Sequence, residues 1–227
     1  MVSRFSKAGL DARAQAVLRD YQPDLLLNPG ALDVEHFAEF YLGASLQYEP
    51  LSPDGDILGL SCLGETEVQT WDETRTTPII RQGLVDMIFL DETAEEGSCN
   101  GRKRFTLAHE CSHLILHKPH PGEIGEPRVL VNSLSKKEIE NRENGGLRGE
   151  GWWMEWQADV MAAYLLMPTP ALKKALPEVA RRKQGRPVVD FDGIATLCDV
   201  FEVSHQAMAK RLKHMGVSLV RDLETST

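Results

Sequence analysis

The chain changes its hydrophobic period twice, and the two changes divide it into helical, strand and helical stretches. Residues 7–20 (KAGLDARAQAVLRD) are rich in Ala and Leu with charges gathered on one side, which predicts a helix that stops before Pro23. A second helix is expected from Asp33, whose side chain suits an N-cap. Val34, Phe37, Ala38 and Tyr41 then fall on one stripe before Gly43 ends it. From Leu46 to about Leu90 the pattern becomes short β-branched or aromatic runs (SLQYEPL, DILGLSCL, EVQTW, VDMIFL) punctuated by Pro53, Gly55, Gly64 and Gly83. These predict a small, mostly antiparallel sheet.

Helical spacing returns in Arg102 to His117, where Phe105, Ala108, Ser112 and Ile115 recur at three and four residues, so this helix should pack on the sheet. Lys118 to Gly151 holds three prolines, six glycines and mixed charge, and is expected to be mostly exposed loop. A further helix is predicted from Trp152 to Met167, stopped by Pro168 and Pro170. A basic segment, KKALPEVARRKQGRP, then leads to a last helical pair, FDGIATLCDVF and HQAMAKRLKHMG. The expected class is α+β in two parts: residues 1–168 with the sheet and its helices, and a helical, helix-turn-helix-like part over 169–227 packed on the first.

Composition sharpens this without redirecting it. Hydrophobic residues at 42% and charged residues at 26% describe a chain of 227 residues able to bury a core. The net charge of −9 argues against broad binding to nucleic acid or anionic membrane. That charge is uneven: the 59 residues from Thr169 carry ten basic and seven acidic side chains, leaving −12 on the first 168. Cys62, Cys99, Cys111 and Cys198 form no CxxC pair, which points to reduced thiols. No apolar stretch approaches the length a bilayer needs, and the N-terminus lacks an apolar leader, so a cytoplasmic protein is expected.

The chemistry concentrates in RFTLAHECSHLILH. His109, Glu110 and His113 form an HExxH motif, and two histidines four apart on a helix share a face from which both rings reach one metal. Glu110, about 100° round the helix, lies beside the ligands, where a carboxylate takes a proton from activated water. A hydrolytic zinc site wants a third protein ligand, and EWQADVMAAYLLMP offers Glu155. Asp159, one turn on, is placed to accept the other ring N–H of a ligating histidine. Zinc is the expected cofactor, one ion per chain, with manganese as the alternative occupant. For the oxyanion donor, His117, Tyr48 and Tyr164 qualify by residue type alone, and His117 reads better as a hydrogen-bonded structural histidine.

These stretches, FTLAHECSHLILH, EWQADVMAAYLLMP and LCDVFEVSHQAMAKRLKHMG, resemble the ImmA/IrrE metallopeptidases of the gluzincin group, and a looser match runs back through MIFLDE to about Asp33. The resemblance implies a zincin-like fold, His109, His113 and Glu155 as metal ligands, and Glu110 as catalytic base. It also implies a protein substrate: a helix-turn-helix (XRE-type) repressor whose cleavage derepresses phage, mobile-element or stress genes. Ser112 stands where the family carries glycine, and the 118–151 insert is a second departure. The alternative is a non-catalytic regulator that keeps a structural metal and binds DNA or protein.

In the C-terminal pair, Lys210, Arg211, Lys213 and His214 suggest DNA contact. Packing of Val203, Ala207, Met208 and Leu212 on the core, with the cations as a solvated face, is preferred given the charge of −9. Trp152, Trp153 and Trp156 around Glu155 are expected to serve mainly in packing at the helix start. Cys111, inside the motif, lacks a base of its own, so a cysteine-protease reading leaves the His/Glu pattern unused.

Overall fold

Side-chain caps set where the first helices begin in the computed structural model, which describes residues 4–91, 93, 101–118, 150–183 and 185–220. Ser6 accepts from Gly9 N ahead of α1 (Lys7–Tyr21), which buries Leu10, Ala14 and Leu18. After α2 (Asp24–Leu27), Asp33 accepts from His36 N and opens α3 (Val34–His36). The helix then widens into a π-helical turn at Phe37–Tyr41, closed by Leu42 N to Phe37 O at 3.1 Å. The expected single α-helix over this stretch is thus half π-helical. A stripe at three- and four-residue steps does not separate the two, and here the wider turn stacks the Phe37 and Tyr41 rings 5.2 Å apart.

The strands depart from the expected single sheet. β1 (Ser45–Tyr48), β2 (Gly59–Ser61) and β5 (Met87–Leu90) form one sheet in the order β1-β5-β2, with β1 parallel and β2 antiparallel to β5. β3 (Thr66–Trp71) and β4 (Pro78–Gly83) make a separate antiparallel hairpin. The central place goes to β5 because Ile88, Phe89 and Leu90 are all buried, a continuous apolar run suited to a strand covered on both faces.

A partly buried ion pair ties the hairpin to the sheet. Arg75 sits in its turn at φ +57°, where Asp72 accepts from Thr76 N, and its guanidinium grips Asp91 with bonds of 3.0 and 2.7 Å. Asp91, wholly buried, also accepts from Leu51 N, Thr93 N and the Thr93 hydroxyl. Burial alone would raise this carboxyl's pKa; Arg75 and the other donors outweigh it and hold it below the usual value.

α4 (Gly101–His117) lies across β2 and packs most extensively on α5 (Glu150–Leu166). β2 comes this close because residue 59 is glycine. A Cβ there would stand 2.7 Å from Thr106 Cγ2 and 2.9 Å from Glu110 Oε1. The expected loop over 118–151 lies outside the described residues apart from its ends: Lys118 bonds Asp86, and α5 begins at Glu150.

Beyond α5 the chain holds more structure than its pattern suggests. The basic segment forms α6 (Thr169–Val179), then β6 (Arg181–Lys183) and β7 (Arg186–Val189), which pair about Gly185 at φ +78°. α7 (Phe191–Phe201) and α8 (His205–His214) follow, joined through Glu202 at φ +50°, and β8 (Ser218–Leu219) runs parallel to β7. Val203, Met208 and Leu212 belong to the same core cluster as Leu10, Leu107 and Met161. One cation departs from the solvated face expected of α8. Arg211 is buried, donating from Nε to Met167 O at 3.2 Å and from Nη2 to Thr169 Oγ1 at 2.5 Å, with its guanidinium over the Tyr164 ring. The result is a mixed α+β architecture compatible with a zincin-like fold. No described helix is long and apolar enough to cross a membrane.

Two outcomes follow for stability in urea. Asp91→Asn should cost about 3 kcal/mol at neutral pH, since it takes the charge from the wholly buried half of the pair. Because the native Asp91 pKa is depressed, this stabilisation is fully present above about pH 4, the ordinary aspartate range, and is lost as pH falls through the depressed value. Wild-type and variant midpoints should therefore converge in acid. Gly59→Ala should cost about 1–3 kcal/mol through overpacking against Thr106 and Glu110; an unchanged midpoint would mean that β2 yields without strain.

Candidate metal centre

His109, His113 and His117 stand four residues apart on α4, and Glu155 and Asp159 stand four apart on α5. His109 meets Asp159 while His113 meets Glu155, so the two helices run antiparallel at this crossing and bring both faces to one point. The inward atoms form a tight cluster, in which Glu155 presents a different carboxylate oxygen to each imidazole. His109 Nε2 is 3.1 Å from His113 Nε2 and 3.3 Å from Glu155 Oε2, and His113 Nε2 is 3.2 Å from Glu155 Oε1. Ligands bound tetrahedrally to zinc at 2.0–2.1 Å lie about 3.3 Å from one another, and one ligand atom from each of the three residues lies within 4.8 Å of the others, so small side-chain shifts let the donor set fit such an ion. Glu155 Oε1 is buried without an aligned hydrogen-bond partner, which leaves it open to a cation. Among the described residues, His109, His113 and Glu155 are the His/Cys/Asp/Glu group arranged to hold a metal.

The surroundings polarise these side chains. Burial works against a proton on His109, yet Asp159, 2.9 Å from its Nδ1, and Glu155 outweigh burial and raise its pKa well above the ordinary imidazole value. Burial likewise opposes ionisation of Glu155, and the two imidazoles beside it carry its pKa down to about 2. Glu110 goes the other way: burial raises its carboxyl pKa and Glu155 adds to the rise, against the pull of His109 and His113. Its Oε2 is buried with no hydrogen-bond partner. A desolvated carboxylate of raised pKa beside the cluster of His109, His113 and Glu155 has the properties that a general base needs.

His117 is buried on the same stripe with its Nδ1 3.0 Å from His113 Nδ1, and burial, aided by His113, pushes its pKa down to about 3. Pattern alone left it a structural histidine; the contact with His113 was available only as the i, i+4, i+8 spacing. The other residues considered for the oxyanion are engaged elsewhere. Tyr48 bonds Glu35 and lies beneath Lys103, and Tyr164 lies against Arg211, about 13 Å along α5 from Glu155.

Gly59 and Ser61 of β2 escaped notice as site residues, although a glycine inside a strand pattern is a sign of close backbone approach. Ser61 Oγ, like Glu110 Oε2, is buried without a hydrogen-bond partner. The tryptophans form their own stack: Trp152 on Trp156, Trp153 edge-on to both, and Arg4 over the Trp153 ring. Trp156 packs on the main core, in keeping with a packing role. Cys62 and Cys111 are buried thiols. Burial first and then Glu110 raise the pKa of both, that of Cys62 to about 11, the reverse of what a cysteine nucleophile needs; Cys99 lies outside the described residues.

Among solved structures, a Mycobacterium tuberculosis transcriptional regulator is similar at a TM-score of 0.44 and 14% identity, over 89% of this chain and 46% of that one. The chain thus spans about half the length of that protein. No protein of curated function matches the chain. A peptidase family model described as the IrrE N-terminal-like domain matches residues 86–213, from the end of the β4–β5 connection through most of α8. That stretch covers more than half of the sequence and contains the helices that carry His109, His113 and Glu155, and the protein accordingly belongs to the IrrE N-terminal-like domain family of peptidases.

Proposed function

We propose that this chain is a zinc-dependent endopeptidase in which His109, His113 and Glu155 bind the metal, Asp159 orients His109 and Glu110 is the general base. The observation that carries this reading is the inward cluster of His109, His113 and Glu155: the two Nε2 atoms lie 3.1 Å apart, each 3.2–3.3 Å from an oxygen of Glu155, which suits a single cation. When bound, the metal supplies Lewis acidity toward a peptide carbonyl and toward water. Asp159 accepts the Nδ1 proton of His109 and so keeps its Nε2 lone pair turned inward. Glu110 takes the proton of the attacking water at its unpartnered Oε2 and returns it to the leaving amine. The close approach of β2 at Gly59 keeps water away from the rest of that carboxylate.

The substrate in this reading is a helix-turn-helix repressor, a choice that rests on the likeness to the ImmA/IrrE peptidases. Residues 1–168 are the catalytic part and 169–227 a helical part that braces it, supported by the burial of Met208, Arg211 and Leu212. Work in the cytoplasm is supported by the free thiols of Cys62 and Cys111.

Glu110→Gln should leave the fold and zinc content intact and lower cleavage at least about a hundredfold. Glu155→Ala should lose its zinc on dialysis; a variant that retained one zinc per chain would remove Glu155 from the ligand set. For the substrate, new protein N-termini are compared in host cells expressing wild type or Glu110→Gln, at rest and under stress. A cut confined to the wild type and lying in a helix-turn-helix regulator is the expected outcome. Unchanged function in Glu110→Gln would favour a non-catalytic regulator with a structural metal.

A further inference from the structure

His113 and His109 face the same centre but lean on different partners. A neutral imidazole carries one N–H, so a histidine that binds a cation through Nε2 holds its proton on Nδ1, and a buried N–H needs an acceptor. For His109 that acceptor is Asp159, whose side chain is 52% exposed. His113 is wholly buried, and its Nδ1 faces His117 Nδ1 at 3.0 Å, the rings tilted by 51°. The neighbouring hydroxyl is committed elsewhere, since Ser112 Oγ donates to Ala108 O at 2.7 Å.

We propose that His117 is a positioning residue for the metal centre, its Nδ1 accepting the Nδ1–H of His113 and so fixing the tautomer that turns His113 Nε2 to the cation. This rests on the reading of His113 as a ligand. Chemistry explains why the acceptor is an imidazole here and a carboxylate at His109. Glu110 and Glu155 already place two buried carboxylates at the centre, and a third against the fully buried His113 would add an anion that water does not reach. A neutral imidazole accepts the same hydrogen bond without the charge. The arrangement has a cost that packing alone would not impose. The single proton of His117 then sits on Nε2, a buried atom with no hydrogen-bond partner among the described residues.

The test uses the full chain and zinc, with affinity read by competition against a chromophoric chelator. His117→Leu should bind zinc about 10–100-fold more weakly while the melting temperature of the metal-free protein holds or rises, because the partnerless donor is gone. His117→Gln, which restores an acceptor oxygen, should recover most of that affinity. In zinc-loaded wild type, imidazole nitrogen shifts should show His117 as the Nε2–H tautomer. That reading needs no variant and decides the matter even where His117→Leu fails to fold. An unchanged affinity in His117→Leu, a His117→Gln as weak as His117→Leu, or a proton on His117 Nδ1 each overturns the proposal. A wild type that binds no zinc overturns the metal-centre reading and this one with it, whereas zinc-binding wild type with indifferent variants overturns only this one.

Discussion

Everything at the centre depends on two antiparallel helices holding acids and imidazoles together where water is nearly excluded. Buried charge is costly unless it is compensated, and α4 and α5 supply the compensation from each other: Glu155 from one, His109 and His113 from the other. The field that favours a proton on His109 and depresses the Glu155 pKa is the field that favours a small cation at the same spot. Glu110 stands just outside this balance. Buried and opposed by Glu155, it holds protons more readily than a solvent-exposed glutamate, the property that a proton carrier near neutral pH requires.

Such a crossing needs to be held from more than one side. The sheet holds α4 along its length, β2 approaching so closely at Gly59 that no side chain fits between. The Arg75–Asp91 pair in turn fixes the β3–β4 hairpin to the end of β5, the strand that β2 pairs with. On the other flank α1 packs on α5, and Gln157 accepts from Phe5 N two residues beyond Glu155. These contacts use different chemistry, a missing Cβ, a partly buried ion pair and an amide cap, but each limits how far one of the two helices slides past the other.

How much of this was legible depended on whether the governing interaction is local in sequence. The spacing of His109, Glu110, His113, Glu155 and Asp159 is a property of single helices, and the structure brings the side chains so singled out to one place. The parallel pairing of β1 with β5 is not local: it joins residues some forty positions apart, and the alternation within each strand is the same for either direction. Pro168 and Pro170 marked an end to α5, but proline at the first positions of a helix is equally a beginning, and α6 starts there. Arg211 looked like a surface cation because its acceptors, Met167 O and Thr169 Oγ1, lie more than forty residues away.

That buried arginine changes what the C-terminal pair is for. In a helix-turn-helix that reads DNA, the second helix and the turn before it are left open to the groove. Here the turn is fastened to the start of α4: Arg104 donates to Glu202 O at 3.0 Å and pairs with its carboxylate, and Gly101 lies so near Ser204 N that a Cβ would come within 2.9 Å. α8 is fastened to the end of α5 through Arg211. Because α4 and α5 are antiparallel, the start of one and the end of the other lie at the same end of the crossing, and the α7–α8 pair grips both. The basic residues that would have argued for nucleic acid divide accordingly. Arg211 is spent on the grip, and Lys210 and Lys213 remain outside. A pair built this way ties the start of α4 to the end of α5, the two helices that carry His109, His113 and Glu155.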